Sequence, residues 1–184
     1  MLNFILWGDY MSENKLSNTT NNSNNNNFHI PRWEELPNID LYIDQVVCLL
    51  ENYLSYFIKN DLTNSKHFIT KTMINNYVKH GVINSPVSKK YNKEHIAYLI
   101  VIFILKQIYS IEEIKKLLDL AITTSSINIS YNRFCLELES AIQSTFSKKI
   151  NFSSSELSKE QYLLRNVVLS FSNKLYVQKN FLSN

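Results

Sequence analysis

One short stretch of the chain concentrates the side chains that could bind a polyanion. Between Lys66 and His95 there are six lysines against one acid, Glu94, whereas Arg32 to Ser65 holds six acids against two basic residues. Asn75 and Asn76 lie inside the basic stretch. Clustered lysines neutralise phosphates and release counterions from duplex DNA, and asparagine amides can hydrogen bond to adenine edges in the major groove. The stretch therefore indicates recognition of duplex DNA.

Asn75 and Asn76 are the candidate base contacts, and a second set of residues is predicted to hold the DNA backbone. The predicted phosphate contacts are Thr70, Lys71, Thr72, Lys79, Lys89, Lys90 and Tyr91. Tyr91 has an alternative role, which is to anchor its loop to the core. Lysines also solvate many protein surfaces, so a helix face that contacts only water explains the same pattern.

Motifs for catalysis are not found in the sequence. It has no glycine-rich phosphate loop, no H-E-x-x-H and no G-x-S-x-G, and its histidines, cysteines and acids do not cluster at useful spacing. His67, His80 and His95 are expected to cap helices, contact phosphate or face solvent. We therefore expect a protein that is not an enzyme and that carries no metal or cofactor.

The basic stretch must be positioned by a short helix and a turn. Thr70 can accept the first amide groups of a helix that runs to about His80. Gly81 follows where a helix end often needs a left-handed residue. Pro86 excludes a helix just before it, so 82–91 has the length for either a small two-stranded wing or a plain loop.

Apolar spacing and capping residues predict further helices on both sides of this unit. A long first helix is predicted to begin after Asn38 and to end near Asn60, and Asn92 should cap a helix that runs to about Gln107. Ser110 and Glu113 form a capping box that opens a helix to about Ala121. The C-terminal part is predicted to hold two helices: one has the stripe Phe134, Leu138, Ile142 and Phe146, and the other runs from about Ser155 to near Phe181 after a capping box at Ser153 and Glu156.

The last predicted helix carries a short apolar seam with a seven-residue repeat. Its predicted dimer contacts are Leu164, Val168, Phe171 and Leu175. The seam spans fewer than three heptads, so a homodimer contact and packing within one chain remain equal alternatives.

Composition favours a mainly α-helical protein. The chain has 184 residues, 45% of them hydrophobic, with only two glycines and three prolines, which leaves little material for a sheet with many turns. A tract of asparagine, threonine and serine from Asn18 to Asn27 has nothing to bury. We therefore predict a disordered polar tail at 1–27, a helix-turn-helix domain at 28–125 and a C-terminal helical pair at 126–184.

A cytoplasmic location is the expectation from the cysteines and from the apolar runs. Cys48 and Cys135 have no partner thiol at useful spacing, so both are predicted to be small buried apolar side chains in a reducing compartment. The opening MLNFILWG has neither a basic start nor a cleavage site and is shorter than a membrane span. Met11 is a second candidate initiator.

Fifteen positions between Ile74 and Leu118 resemble the MerR-type winged-helix DNA-binding domain. They are Ile74, Tyr77, Gly81, Val82, Ile83, Pro86, Tyr91, Leu99, Ile102, Ser110, Ile111, Glu113, Ile114, Leu117 and Leu118. Asn75 stands where MerR proteins carry an arginine that contacts the DNA backbone, and Asn76 replaces the first of their paired tyrosines. The resemblance implies that backbone contacts would come from Lys71, Lys79, Lys89 and Lys90.

The segments 33–46 and 70–79 also resemble the bacterial family catalogued as domain of unknown function 1836, over most of the chain from about Pro31 onward. Together these resemblances imply a mainly α fold: a MerR-like winged helix-turn-helix with a long N-terminal helix and two C-terminal helices. The expected function is transcriptional regulation through duplex DNA, as a homodimer whose small-molecule effector is unknown. The alternative is a helical protein-protein interaction module that keeps the scaffold without binding DNA, with its partner in the groove between the first helix and the C-terminal pair.

Overall fold

The computed structural model describes residues 29–58, 68–148 and 157–182, and these residues are mainly α-helical. A 3-10 turn at Trp33–Glu35 precedes strand β1 (Leu41–Tyr42), helix α1 (Ile43–Ile58) and helix α2 (Lys71–Lys79). Strand β2 (Lys90–Tyr91) leads into α3 (Lys93–Leu105), α4 (Ile111–Thr124) and α5 (Ile127–Phe146). Helix α6 (Lys159–Val177) continues into a π-helical turn at Gln178–Leu182.

Helix α3 lies at the centre of the molecule. Every residue from His95 to Leu105 except Tyr98 is buried. Such a helix has no polar face for water, so it needs neighbours on all sides. Those neighbours include α1, β2 and α5. The buried residues of the described parts form one continuous core that includes both sides of the predicted domain boundary at 125–126.

The predicted starts of α2, α3 and α4 are confirmed by their caps. The Thr70 hydroxyl accepts a hydrogen bond from the Met73 amide at 3.3 Å. Ser110 and Glu113 form the reciprocal capping box, in which the Ser110 amide donates to the Glu113 carboxylate at 2.7 Å. This hydrogen bond holds the pKa of the Glu113 carboxyl below its usual value. Gly81 adopts a φ of +62°, as a left-handed helix end requires.

The predicted start of the first helix was wrong. Helix α1 begins at Ile43 rather than just after Asn38, because Leu41 and Tyr42 are extended and pair antiparallel with Tyr91 and Lys90. The small sheet therefore joins the chain before α1 to the chain before α3. It is not a hairpin formed within 82–91 alone.

The segment before β1 is fastened to α5 by polar contacts. Both oxygens of the Glu139 carboxylate accept from the Arg32 guanidinium, and one of them also accepts from the Ile30 amide at 2.8 Å. The Tyr131 hydroxyl donates to the Pro31 carbonyl at 2.7 Å. Bidentate arginine-carboxylate pairs fix orientation as well as adding energy. The start of the described chain is thus held against the C-terminal part.

The predicted apolar stripe of α5 is confirmed, and α6 packs along it. Of the four residues predicted as dimer contacts, Val168, Phe171 and Leu175 are buried within the single chain, and Leu164 is half-buried against the same core. A dimer contact through the three buried side chains would require the core to open. The seam is therefore an intramolecular one.

One aromatic contact spans the groove that was predicted between the C-terminal helices and the first helix. The rings of Phe57 on α1 and Phe171 on α6 lie 6.4 Å apart between centroids, and both side chains are buried. The predicted capping box at Ser153 and Glu156 lies outside the described residues. Helix α6 itself begins at Lys159, and Ser158 caps it with Gln161.

The two cysteines have different environments, so the prediction that both are buried was wrong for one of them. Cys48 is exposed on α1, whereas Cys135 is buried on α5. Burial raises the pKa of the Cys135 thiol to about 12. Among the residues that the structure describes, no helix combines the length and the apolar composition needed to cross a bilayer.

Replacement of Ser172 by alanine should stabilise the protein by about 1 kcal/mol, because a buried hydroxyl without a hydrogen bond costs free energy of this order. Ser172 on α6 is fully buried, and its hydroxyl has no partner among the described residues. Urea denaturation would measure the change. The matched control is Ser170→Ala on the same helix, where the hydroxyl is exposed and donates to the Asn166 carbonyl. Equal effects of the two substitutions would contradict this explanation.

Candidate nucleic-acid interface

Helix α2 presents one face to the core and the other to solvent. Ile74 and Tyr77 are buried, and the Tyr77 ring lies edge-on to Phe103 of α3 at 5.4 Å between centroids. The two predicted base contacts, Asn75 and Asn76, are both exposed. Their position follows from helix geometry, because residues beside a buried pair at i and i+3 point away from the core. Met73 of the same helix is also exposed.

The predicted phosphate contacts at the start of α2 are also exposed, but one of them is already paired. Thr70 and Thr72 face solvent, with the Thr70 hydroxyl engaged as the helix cap. The Lys71 ammonium lies 2.5 Å from a carboxylate oxygen of Asp44 on α1. Both side chains are more than half exposed, so the pair adds little stability and leaves Lys71 close to the surface.

Two lysines lie at the other end of α2, and one of them, Lys115, was missed by sequence reasoning. Lys79 is exposed in its last turn. The Lys115 ammonium on α4 is 3.7 Å from the position that a Cβ would occupy at Gly81. Cations near a helix C-terminus interact favourably with the helix dipole. Lys115 is more than thirty residues from Gly81 in the sequence, so no local pattern could have placed it there.

A tight turn at Val87–Lys90 projects Lys89 into solvent. The Lys90 amide donates to the Val87 carbonyl at 2.9 Å, and the central residues Ser88 and Lys89 have φ values of 50° and 64°. Two consecutive left-handed residues are characteristic of type I′ turns, which usually contain glycine or asparagine. The chain adopts this turn without either residue. Lys89 is therefore held at the tip of the segment that was predicted to be a wing or a loop.

Lys90 and Tyr91 are less accessible than predicted. The Lys90 ammonium lies over the Tyr42 ring at 5.3 Å from its centroid, which pairs the side chain with a neighbouring strand. Tyr91 is buried, with its ring edge-on to His95 at 5.4 Å. The assignment of Tyr91 as a phosphate contact was therefore wrong. Tyr91 has the alternative role, in which it anchors the loop to the core.

His95 completes a capping box at the start of α3. The Asn92 amide donates to His95 Nδ1 at 3.2 Å, and the His95 amide donates to the Asn92 side-chain oxygen at 3.1 Å. Spacing of three residues is the usual signal for this motif, with histidine in the place of glutamate or glutamine. His80 is exposed at the end of α2, and His67 lies outside the described residues. Of the histidines among these three that the structure describes, His95 is thus the one whose ring accepts a hydrogen bond from the backbone of its helix cap, Asn92.

Groups suited to a metal ion are not brought together in the described part of the chain. Within residues 29–58, 68–148 and 157–182, no three histidine, cysteine or acidic side chains converge at metal-binding distance. The chemistry that α2 and the neighbouring turn offer is that of amide groups, hydroxyls and lysine ammonium groups. Such groups suit a polyanion with hydrogen-bonding edges.

Residues 31–134 match the family described as Domain of unknown function (DUF1836). This match covers more than half of the sequence. The chain belongs to this family. The matched region begins at the segment held by Glu139 and ends within α5, so it includes the exposed face of α2, the Val87–Lys90 turn and the central helix α3. No curated protein and no solved structure matches the chain.

Substitution of Ser88 by glycine should stabilise the protein by about 1 kcal/mol, because a left-handed conformation costs a residue with a Cβ roughly this amount. The control is Ser85→Gly, an exposed serine of the same loop that is not among the residues with positive φ. There, glycine should have no effect or should destabilise, since it adds only unfolded-state entropy. Thermal and urea unfolding would measure the stability of both variants. Stabilisation by Ser85→Gly and not by Ser88→Gly would contradict the prediction.

Proposed function

We propose that the protein binds duplex DNA through α2 and the Val87–Lys90 turn, and acts as a transcriptional regulator. The observation that carries this proposal is the exposed face of α2, on which Asn75 and Asn76 point away from the buried pair Ile74 and Tyr77. In helix-turn-helix proteins, the second helix enters the major groove and its exposed side chains contact base edges. Helix α2 takes this role.

The arrangement of elements supports a winged helix-turn-helix similar to the MerR type. Helices α1 and α2 pack against each other, and both belong to the core around α3. The Val87–Lys90 turn follows α2, and strand β2 ties it to the start of α1 through pairing with β1. This pairing holds the turn beside the start of α1. The short turn is then the wing of the proposed domain.

Charge supports contact with the DNA backbone. Lys79 at the end of α2 and Lys89 at the tip of the turn are exposed, and Lys115 reaches the same end of α2. Lys71 contributes if Asp44 releases it, which costs little for an exposed ion pair. Lysines on both sides of Asn75 and Asn76 suit a duplex, because phosphates flank the groove on both sides.

The alternative function is that of a helical interaction module without DNA binding. The groove proposed for its partner lies between the first helix and the C-terminal pair, where the rings of Phe57 and Phe171 are in contact. The exposed amides and lysines of α2 and of the turn are what favour DNA binding over this alternative. The two functions differ in what the exposed face of α2 contacts.

We predict that the protein binds mixed duplex DNA with an affinity that falls steeply as salt rises. The double variant Lys79→Ala, Lys89→Ala should bind more weakly, and the slope of log K against log salt should decrease by about 2, because each lysine that contacts a phosphate contributes about 1. Fluorescence anisotropy with a labelled duplex would measure both quantities. Lys90 is left unchanged in this variant because it packs over Tyr42, and its loss would disturb the sheet.

The matched control removes two exposed lysines elsewhere, in the double variant Lys106→Ala, Lys159→Ala. Lys106 directly follows the end of α3. The start of α3 lies beside β2, and the helix is roughly 20 Å long. The net charge changes equally in both double variants, so a difference between them reports position. The proposal fails if the wild-type protein is not retained on DNA at low salt.

Base reading is a separate prediction from backbone contact. Once a preferred sequence has been selected from a random duplex library, Asn75→Ala and Asn76→Ala should each weaken binding to it by about 1–3 kcal/mol, the value of a bidentate contact between an amide and adenine. Binding to unrelated duplexes should change little. Asn173→Ala, at an exposed asparagine of α6, is the control. Loss of affinity for all duplexes alike would show that the two asparagines do not read bases.

A further inference from the structure

An apolar cleft lies between the central helix and the C-terminal helices. Its walls come from α3, α4, α5 and α6, and its cavity volume is ≈ 150 Å³. The inner wall is formed by Ala97 and Val101 of α3, Phe134 of α5 and Val167 of α6, all of them buried. Because these side chains lie inside the fold, only an occupant small enough to enter the cleft can contact them.

Helix α4 forms the outer wall and is only lightly packed. Ile114 is buried, but Leu117 and Leu118 are only half-buried, and Leu120 and Ile122 near the end of α4 are about half exposed. The leucines at 117, 118 and 120 and Ile122 all line the cleft. Burying apolar surface is worth about 25 cal/mol per Å². An apolar occupant would therefore be stabilised by the side chains that water now contacts.

Three of the four residues that bring a hydroxyl group to the cleft, Ser125, Ser130 and Tyr131, already have hydrogen-bond partners; the fourth is Tyr98. The Ser125 and Ser130 hydroxyl oxygens lie 2.9 Å apart, and the Ser130 hydroxyl also lies 3.2 Å from the Ala121 carbonyl, to which it can donate. The Tyr131 hydroxyl donates to Pro31. A charged or strongly polar occupant would lose its hydration without gaining these groups as partners. Arg133 and Glu160, the charged residues of the lining, have opposite signs and so favour neither anions nor cations.

We propose that this cleft binds one uncharged, largely apolar small molecule of one or two rings. An apolar cavity of about this size can accept a molecule such as benzene. The cleft is separate from the surface proposed for DNA, since none of the residues that line it belongs to α2 or to the Val87–Lys90 turn. The two activities can therefore fail separately.

The first test uses the wild-type full chain and 1-naphthol as the probe. Isothermal titration should show saturable binding of one molecule per chain, and hydrogen exchange should slow in α4 and α5. The anion 1-naphthalenesulfonate has the same rings with a charge. It should bind at least about tenfold more weakly, a difference of about 1.4 kcal/mol, because its charge would be desolvated. No saturable binding, equal binding of the sulfonate, or protection only in elements that do not line the cleft would each overturn the proposal.

The second test fills the cleft from two different walls. Leu118→Trp on α4 and Leu164→Trp on α6 should each lower the affinity for 1-naphthol by about tenfold or more, since the larger ring takes up the cavity. Leu136→Trp is the matched control, because Leu136 is exposed on α5 and does not line the cleft. Circular dichroism and melting would check that each variant folds. Unchanged affinity in a folded filling variant would contradict the assignment.

Discussion

The burial of α3 on all sides is the constraint on which the rest of the structure depends. A helix with ten buried residues among thirteen cannot lie at a surface, so the other elements have to surround it. Helix α1 and strand β2 cover it towards the N-terminal part, and α5 covers it towards the C-terminal part. The core that results is continuous. The predicted domain boundary at 125–126 therefore separates two helices and does not separate two cores.

Helix α3 supports both the exposed polar face of α2 and the apolar cleft. Phe103 of α3 packs against Tyr77, which turns the polar face of α2 outward. Ala97 and Val101 of α3 form the inner wall of the apolar cleft. The N-terminal part is further held to α5 by Arg32 and Glu139, and hydrogen bonding to Glu139 raises the pKa of the arginine above its ordinary value. Helix α2 and the cleft thus share one rigid support.

Much of the local structure could be predicted because its causes are local. Thr70, Asn92 and Ser110 cap helices at spacings that are visible in the sequence, and Gly81 ends α2 with a left-handed residue. Side chains that depend on distant partners were harder to place. Tyr91 was assigned to the surface but is buried, since its strand pairs with residues fifty positions earlier. Cys48, expected inside, is exposed on α1.

The sequence by itself determined the mainly helical class, the starts of α2, α3 and α4 and the exposed amides of α2, because capping and periodicity act within a few residues. It also supported membership in the family of unknown function. Only the tertiary structure decided that the seam of Val168, Phe171 and Leu175 packs within one chain, that Lys115 reaches Gly81, and that four helices line an apolar cleft. The physical reason is that an apolar stripe or a lysine has the same local pattern whichever neighbour it meets. Its neighbour is chosen by how the whole chain surrounds α3.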